Sequence, residues 1–308
     1  MAEESVMRVL IAGCGRLGQA VGLELAAAGH EVFGLRRNPS ALPEAIAPVA
    51  ADLLAPPDEW AERLPERLDR VYYIVTPADF TDESYRLAFV AGLANLRDAL
   101  LTQGQQPQRL LFASSTAVYG QQADEWIDET SPTVPERFSG ARLLEAEGLL
   151  QAMPWPTVTV RLGGIYGPGR DLFIRKVRAG EACRDAGFSN RIHADDAAGL
   201  LAHLGLLEEM ESFVDPGCGQ LAVFLGVDDE PTTGCAVMDF IAAQLGLPQP
   251  PRAPAGEEES GRRAMGVGSK RGRNAKLKRA GYALRYPTFR EGYRALLSAD
   301  GEGAGSRR

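Results

Sequence analysis

The feature that most constrains this chain is a set of three glycines between an apolar run and a helix-like stretch. The run "MRVLIAG" ends where Gly13, Gly15 and Gly18 form G-x-G-x-x-G, and "RLGQAVGLELAAAGH" follows with apolar residues at helical spacing. This order predicts a strand, a tight turn and a helix. In that setting Gly13 serves the turn, Gly15 lets the backbone approach a diphosphate, and Gly18 lets the helix pack on the strand.

A helix that starts directly after such a turn offers backbone N–H groups and partial positive charge to phosphates. The stretch therefore predicts a dinucleotide-binding βαβ unit, with glycines that serve only chain packing as the alternative. The loop residues predicted to contact the dinucleotide are Gly13, Cys14, Gly15, Arg16, Leu17 and Gly18.

The end of the second predicted strand bears on which dinucleotide is bound. A carboxylate there accepts hydrogen bonds from the adenosine ribose hydroxyls of NAD, whereas an arginine accommodates a 2′-phosphate. The sequence has Arg36 and Arg37 at this point, which favours NADP(H) over NAD(H); two solvated arginines are the alternative. Asp52, after the third strand, is predicted to accept a hydrogen bond from the adenine amino group; the alternative is an exposed loop aspartate. Thr76 is also predicted to lie at the cofactor site.

Further strands alternate with helices along the chain. The predicted strands are "EVFGL", "APVAADL", "RVYYIVTPA", "RLLFASS", "TVTVRLGGIYG" and "LAVFLGV", and the predicted helices include "ESYRLAFVAGLANLRDALLT", "PERFSGARLLEAE" and "RIHADDAAGLLAHLGLLEE". Near-continuous apolar strands in this order are typical of a parallel sheet buried on both faces. We therefore expect an α/β fold, a Rossmann-like doubly wound parallel sheet with a smaller C-terminal substrate-binding domain.

The alternation loosens after Gly169, which sets the predicted domain bounds. Residues 1–168 form the NAD(P)-binding domain, to which 187–228 return, and residues 169–186 and 229–297 form the small domain. Residues 248–272, rich in Pro, Gly and charge, are predicted to be a mobile loop or lid, and 298–308 a disordered tail.

The net charge of −8 argues against a nucleic-acid partner. One stretch departs from the acidic balance, since residues 262–279 hold eight Lys or Arg and no acid. It is either a solvated basic loop or a patch that attracts an anionic substrate or the cofactor phosphates.

The four cysteines show neither close pairing nor metal-knuckle spacing. The N-terminal stretch lacks the basic start of a signal peptide, and no apolar run reaches the roughly 18 residues of a membrane helix. A reduced, cytoplasmic protein with no membrane partner and no structural metal is expected.

Several motifs together resemble the extended short-chain dehydrogenase/reductase superfamily, in its NAD(P)-dependent epimerase/dehydratase branch. They are "IAGCGRLG", "ADL", "SSTAVYG", "RLGGIYGPGRD", "NRIHADDAA" and "NAKLKRAGYALRYPTFREGYRALL". The resemblance implies a Ser or Thr, a Tyr and a Lys at the catalytic centre, with the tyrosine as the acid/base group.

Alignment on "VYG" gives the serine position to Ser115; the alternative is a hydroxyl that only caps backbone. The tyrosine and lysine positions fall on Phe138 and Arg142. Phenylalanine has no proton to exchange, and arginine stays charged, although it could still bind the cofactor ribose. Sugar-nucleotide 4,6-dehydratases of the branch carry Asp and Glu where this chain has Thr116 and Ala117, so that reaction is not expected.

Two other residues could supply the proton, on segments that the resemblance implies are near the active centre. His193 titrates near neutrality, and Tyr119 carries a phenol, but His193 could bridge backbone segments and Tyr119 could pack behind the cofactor.

Three arginines, Arg161, Arg170 and Arg191, are predicted on the substrate side, where guanidinium groups suit carboxylates or phosphates. The alternative is that they form ion pairs with nearby aspartates, namely Asp171, Asp195 or Asp196.

The sequence thus predicts an NADP(H)-dependent oxidoreductase or epimerase for a small polar substrate, sugar-like or carbonyl, with a degenerate catalytic centre. The alternative is a non-catalytic NADP(H)-binding regulator or sensor. The resemblance also suggests a homodimer.

Overall fold

The computed structural model describes residues 5–183, 187–214, 220–253 and 268–305. The strands are β1 (Arg8–Ala12), β2 (Glu31–Arg36), β3 (Ala47–Ala50), β4 (Arg70–Tyr73), β5 (Arg109–Ser115), β6 (Ala123–Ile127), β7 (Thr157–Leu162), β8 (Gly164–Tyr166), β9 (Phe188–Ser189), β10 (Arg191–His193), β11 (Leu221–Gly226), β12 (Thr232–Thr233) and β13 (Ser269–Gly272). The helices are α1 (Arg16–Ala27), α2 (Asp82–Tyr85), α3 (Gly92–Thr102), α4 (Phe138–Gln151), α5 (Leu172–Arg178), α6 (Ala194–Leu206), α7 (Gly234–Leu245), α8 (Ala275–Arg279) and α9 (Phe289–Gly305).

Among the described residues, seven strands form the main sheet in the order β11-β7-β5-β4-β1-β2-β3. The register of β1 with β2 and with β4 is parallel, as is that of β2 with β3 and of β4 with β5. The predicted Rossmann-like parallel sheet is therefore confirmed. The strand order reverses between β1 and β4, and in sheets of this kind ligands bind beyond the carboxyl ends of the strands at that point.

Apolar strand sequences explain why the sheet is buried. Strand β7 is buried along its whole length, and so is β4. Strand β1 is buried from Val9 to Ala12. Helices that cover both faces of the sheet remove these side chains from water, which is the main favourable contribution to folding.

A π-helical turn, Arg86–Ala91, joins α2 to α3 where one continuous helix was predicted. A π turn widens the helix and changes its backbone hydrogen bonding. The Tyr73 hydroxyl, from strand β4, donates to the Ala88 carbonyl within the turn. Gly92 leaves room for this contact, since a Cβ there would lie 2.5 Å from the Tyr73 hydroxyl oxygen.

The chain divides into two compact units. The first comprises 1–119, 133–161 and 198–224, and the second comprises 120–132, 162–197 and 225–308. The second unit includes four segments that were predicted to belong to the NAD(P)-binding domain, namely 120–132, 162–168, 187–197 and 225–228.

The second unit has its own apolar core, to which helices α5, α7 and α9 contribute. Cys183 and Cys235 form a disulfide in this core, so the expectation of four reduced cysteines is wrong for this pair. Helix α5 packs against α7, and Cys183 follows α5 while Cys235 lies in α7. The Cα atoms of the two cysteines are 5.2 Å apart, within the range that a disulfide spans. The sequence separation of 52 hid the pairing in the sequence.

Part of the predicted loop at 248–272 has regular structure. Strand β13 pairs with β6 in parallel, although with a shift in register. Residues 254–267, which include the first six residues of the basic stretch, lie outside the described residues. The rest of that stretch contains β13 and α8.

Two other predicted boundaries differ in the structure. Residues 191–193, predicted as helix, form strand β10 beside β8, and helix α6 begins at Ala194. Helix α9 continues to Gly305, although 298–308 was predicted to be disordered; extending an existing helix costs less than starting one. No helix in the described ranges is long and apolar enough to span a membrane.

A buried carboxylate holds the chain before α9. Asp196 is 0% exposed and accepts hydrogen bonds from the backbone N–H groups of Arg285 and Tyr286, at 2.7 and 2.9 Å. The Tyr282 hydroxyl donates to the same side chain at 3.2 Å. Asp196 thus satisfies two backbone donors of a non-helical segment that depends on it.

We expect Asp196→Ala to lower the free energy of unfolding by about 2–4 kcal/mol, because it leaves two partly buried backbone donors without their acceptor. Urea unfolding would measure the change. The neighbouring Asp195, whose side chain is 46% exposed, provides the matched control, and Asp195→Ala should cost less than about 1 kcal/mol. Equal losses in the two variants would contradict the role of Asp196.

Candidate functional site

The three glycines of the first loop occupy distinct environments. Gly13 has a φ of 82°, and a Cβ there would lie 2.5 Å from the Ile74 carbonyl oxygen, so both the turn and the close contact require glycine. Gly18 packs helix α1 on strand β1, with the Cβ site 2.9 Å from Ile11 Cγ2. Gly15 differs, because the nearest atom to its Cβ site is 3.9 Å away. The space in front of Gly15 is therefore open on the protein side.

The Cys14 thiol points into the protein. The residue is 0% exposed, and burial raises the pKa of its thiol to about 11. Its carbonyl oxygen instead accepts a hydrogen bond of 3.3 Å from the Arg36 guanidinium. Arg36 is half-buried at the end of β2, whereas Arg37 is exposed. Arg36 thus lies beside the glycine loop, and Arg37 extends towards solvent.

The other residues predicted at the cofactor site lie on nearby turns of the same unit. Asp52 is half-buried and accepts the Leu54 backbone N–H at 3.0 Å. Thr76 is exposed just beyond β4. Arg16 is exposed and Leu17 half-buried in the first turn of α1, where backbone N–H groups point out of the helix.

These residues fit a dinucleotide. An open approach to Gly15, the start of helix α1 and a guanidinium beside the loop supply a close backbone contact, N–H donors and positive charge. The residues that would hold the dinucleotide are Gly13, Gly15, Arg16, Leu17, Gly18 and Arg36. Bound there, the dinucleotide would supply or accept a hydride.

Ser115 ends strand β5, and its hydroxyl accepts the Ala117 backbone N–H at 3.2 Å. A serine hydroxyl that accepts this bond still has a hydrogen to donate. Helix α4 packs closely on the same turn, because a Cβ at Gly140 would overlap the Ala117 carbonyl. The segment with Ser115 and the start of the helix with Phe138 are therefore neighbours.

Phe138 is the first residue of α4 and lies among aromatic rings. Its ring centroid is 5.0 Å from that of Phe80 and 5.4 Å from that of Tyr85, the latter pair in a T-shaped arrangement. All three residues are half-buried. The position that carries the phenol in active relatives thus belongs to an aromatic cluster here.

Arg142, one helical turn further on, is held by two carboxylates. Its Nε and Nη2 donate to the two carboxylate oxygens of Asp82 at 2.7 and 2.9 Å, and its Nη1 donates to Glu145 at 2.7 Å. This bidentate geometry joins α4 to α2. Three of the five guanidinium N–H donors are thus engaged with carboxylates of the protein.

Tyr119 and Arg161 belong to a buried network in the first unit. Arg161 Nη1 donates to the Tyr119 hydroxyl at 2.9 Å, and its Nη2 donates to Glu147 at 2.7 Å. The Ser114 hydroxyl donates to the same carboxylate at 2.7 Å. Side-chain exposure is 8% for Arg161 and 6% for Glu147. Arg161 therefore pairs with an acid that the sequence analysis had not considered.

Arg170 and Arg191 lie in the second unit. Arg191 is buried, and burial lowers its pKa; it donates to the Thr232 carbonyl at 3.1 Å and to the Ser189 hydroxyl at 2.8 Å. Arg170 is half-buried and its backbone pairs with Gly167. Arg191 thus joins β10 to the segments that flank it.

His193 is 2% exposed. The Asp195 backbone N–H donates to its Nδ1 at 3.2 Å, which leaves the proton of the neutral ring on Nε2. Among the described residues Nε2 has no hydrogen-bond partner, and burial lowers the pKa of the ring. This hydrogen bond joins residues only two positions apart, so it is not a bridge between two separate backbone segments, and the role of His193 stays a prediction.

A buried acid near Arg191 was missed by sequence reasoning. Asp228 is 1% exposed, and within the described part of the chain its Oδ2 has no hydrogen-bond partner. Burial raises its pKa to about 8, although Arg191 acts in the opposite direction. Near neutral pH the carboxyl group is therefore largely protonated. Nothing in "GVDDEPT" marks this Asp, since burial of its side chain depends on tertiary packing.

Phe80, Tyr85 and Asp82 were also missed at the candidate site. They follow strand β4 in "TPADFTDESY". Their position in the sequence could have identified them. The segment after the strand next to β1 lies at the carboxyl ends of the strands, where ligands bind in such a sheet.

The sheet order, the glycine loop and the Arg36 contact define a Rossmann-type dinucleotide-binding protein. The chain belongs to the NAD dependent epimerase/dehydratase family, whose sequence profile matches residues 9–201.

Relatives extend the likeness over nearly the whole chain. A structure from Methylobacillus flagellatus, described as a candidate NAD-dependent epimerase/dehydratase, is 34% identical with a TM-score of 0.74, covering 96% of this chain and 99% of its own. The Bordetella bronchiseptica enzyme WbmG in complex with NAD is 20% identical with a TM-score of 0.70, covering 97% and 95%, and shares the fold. The 3-diazoavenalumate denitrifying reductase of a Streptomyces species is 29% identical over 273 residues, 81% of this chain and 85% of the relative.

We expect the free energy of unfolding to fall as the pH rises from about 4 to about 8. The ordinary pKa of an aspartate is 3.8 and that of folded Asp228 is about 8, so between these values the folded protein retains a proton that the unfolded chain has lost. One such proton contributes up to about 1.4 kcal/mol per pH unit.

Urea unfolding between pH 5 and pH 8 would measure this slope. Asp228→Asn, which mimics the protonated acid, should flatten it, whereas Asp239→Asn, at an acid paired with Arg252, should keep the wild-type slope. A slope that is the same in Asp228→Asn and the wild type would refute the assignment.

Proposed function

We propose that this protein is an NADP(H)-dependent reductase whose substrate accepts a hydride without a proton from position 138. Hydride addition to a carbonyl creates an alkoxide that a general acid must protonate. Hydride addition to a cationic group, such as an iminium or diazonium, gives a neutral product. The second kind of acceptor suits a centre whose acid position is a phenyl ring.

This proposal rests mainly on the contacts that Phe138 and Arg142 make with neighbouring side chains. Phe138 packs against Phe80 and Tyr85, and Arg142 is bound at both oxygens of Asp82. The replacements therefore form their own satisfied contacts. An epimerase of this family needs the tyrosine to move a proton, so epimerase activity is disfavoured.

Two further points support a reductase. The Ser115 hydroxyl retains a hydrogen that it can donate to a substrate. The Streptomyces relative is named for a reductase acting on a diazo compound. Replacement of a diazonium group by hydride releases dinitrogen and requires no general acid.

The preference for NADP(H) is supported by Arg36. Its guanidinium lies beside the glycine loop at the end of β2, where the adenosine ribose is expected. The predicted cytoplasmic location and homodimer stay predictions.

A non-catalytic NADP(H) sensor is the second candidate, favoured by the engagement of Arg142 with Asp82 and Glu145. It predicts tight cofactor binding without turnover of any acceptor. A screen of NADPH oxidation with iminium, diazonium, carbonyl and nucleotide-sugar substrates, beside a pull-down with and without NADPH, would distinguish the two functions.

We expect NADPH to bind at least about tenfold more tightly than NADH, with Arg36→Asp removing most of the difference, because a carboxylate repels the 2′-phosphate. Calorimetry would measure both affinities. Arg37→Asp, at the exposed neighbour, is the matched control and should have the smaller effect. Equal affinities of the wild type for the two cofactors would overturn the NADP(H) assignment.

We expect Phe138→Tyr combined with Arg142→Lys to increase carbonyl reduction at least about tenfold, because general acid assistance contributes about 10²–10⁴ in rate. The new phenol could bond to Ser115. Steady-state NADPH oxidation would measure the gain, which should be absent for an iminium acceptor. If the wild type already reduces carbonyls quickly and the double variant is slower, the proposed acceptor class is wrong, and Tyr119→Phe and His193→Ala become the informative variants.

A further inference from the structure

Three half-buried rings, Phe80, Tyr85 and Phe138, form what we term the aromatic face. The centroids of Phe80 and Phe138 are 5.0 Å apart, those of Phe80 and Tyr85 are 5.5 Å apart, and those of Tyr85 and Phe138 are 5.4 Å apart. Each ring contacts both of the others. Because all three remain partly exposed, the face can add another ring to its contacts.

The aromatic face packs on buried rings of the protein interior. Tyr85 also packs on the buried Phe89, with centroids 5.5 Å apart, and Phe89 lies 6.1 Å from Phe112 on strand β5. Phe89 lies on the π turn, which is fixed to the sheet by the hydrogen bond from Tyr73 to Ala88. The rings are therefore positioned by the sheet before any ligand arrives, which lowers the entropy cost of binding.

Two arginines close to the aromatic face, Arg142 and Arg86, are paired with carboxylates. Arg142 is bound by Asp82 and Glu145, and Arg86 donates two hydrogen bonds to Glu83. Three carboxylates thus surround two guanidinium groups. An anionic ligand gains nothing from this environment, whereas a neutral or cationic one does not conflict with it.

We propose that the aromatic face binds a planar aromatic group of the hydride acceptor. This inference rests on the proposed function and deepens it, since it names the substrate class. Aromatic rings prefer offset or edge-to-face contacts at the centroid separations seen among these three residues. The hydroxyls of a sugar need hydrogen-bonding partners, and the residue at position 138 offers none. The proposal therefore favours an aromatic substrate over the small polar one that the sequence suggested.

A binding experiment tests the aromatic face without turnover. The probes are 2-naphthol and its saturated analogue decahydro-2-naphthol, which share a bicyclic skeleton and one hydroxyl. Calorimetry with the NADP⁺-treated protein would measure both affinities. We expect 2-naphthol to bind at least about fivefold more tightly, because it alone has a planar π system that can contact the rings of the aromatic face.

Two substitutions test the rings themselves. Phe80→Leu and Phe138→Leu keep an apolar side chain but remove a ring, and each should weaken 2-naphthol binding at least about threefold while leaving decahydro-2-naphthol nearly unchanged. Tyr85→Phe should retain the naphthol affinity. Phe213→Leu is the matched control, because Phe213 is also a half-buried ring of the first unit, paired with Phe224. Thermal unfolding of each variant would identify any loss of folded protein.

Equal binding of the two probes by the wild type would overturn the proposal. So would unchanged naphthol affinity in folded Phe80→Leu and Phe138→Leu. If 2-naphthol binding depends on the rings but none of the tested acceptors supports NADPH oxidation, the proposed reductase is refuted and the aromatic face is upheld. Turnover of aliphatic iminium substrates without naphthol binding would uphold the reductase and refute the aromatic face.

Discussion

The close packing of helix α1 on strand β1 is the contact on which the rest of the candidate site depends. Gly18 brings the helix against Ile11, and Gly13 turns the chain in a left-handed conformation beneath the Ile74 carbonyl. A larger residue at either position would move the helix start away from the strand ends. The open approach to Gly15 and the position of Arg36 beside the loop both follow from this contact.

Under the proposed function, positions 138 and 142 change the chemistry of the site while the architecture around them is kept. Helix α4 still packs on the turn after β5 through Gly140, so position 138 remains beside the Ser115 segment. Phe138 exchanges proton transfer for ring contacts, and Arg142 exchanges a ribose contact for an ion pair with α2. Both substitutions are stabilised by residues that follow β4, which ties the segment after that strand to the chemistry of the site.

Buried polar groups organise the second unit. Asp196 satisfies backbone donors before α9, and Arg191 satisfies carbonyl and hydroxyl acceptors around β10. Asp228 is different, because burial favours its neutral form and leaves one carboxyl oxygen without a partner in the described chain. Burial thus decides which of these groups stay charged, since an unpaired charge is costly away from water.

The sequence by itself determined the parallel sheet, the glycine loop and the loss of the catalytic phenol. Each is written in local patterns: apolar strands alternating with helices, a G-x-G-x-x-G between strand and helix, and Phe138 in a recognisable motif. Only the tertiary structure decided how the side chains are paired. Arg161 with Glu147, Cys183 with Cys235 and Phe138 with Phe80 join residues that are distant along the chain, and their contacts form only when the folded layers bring them together.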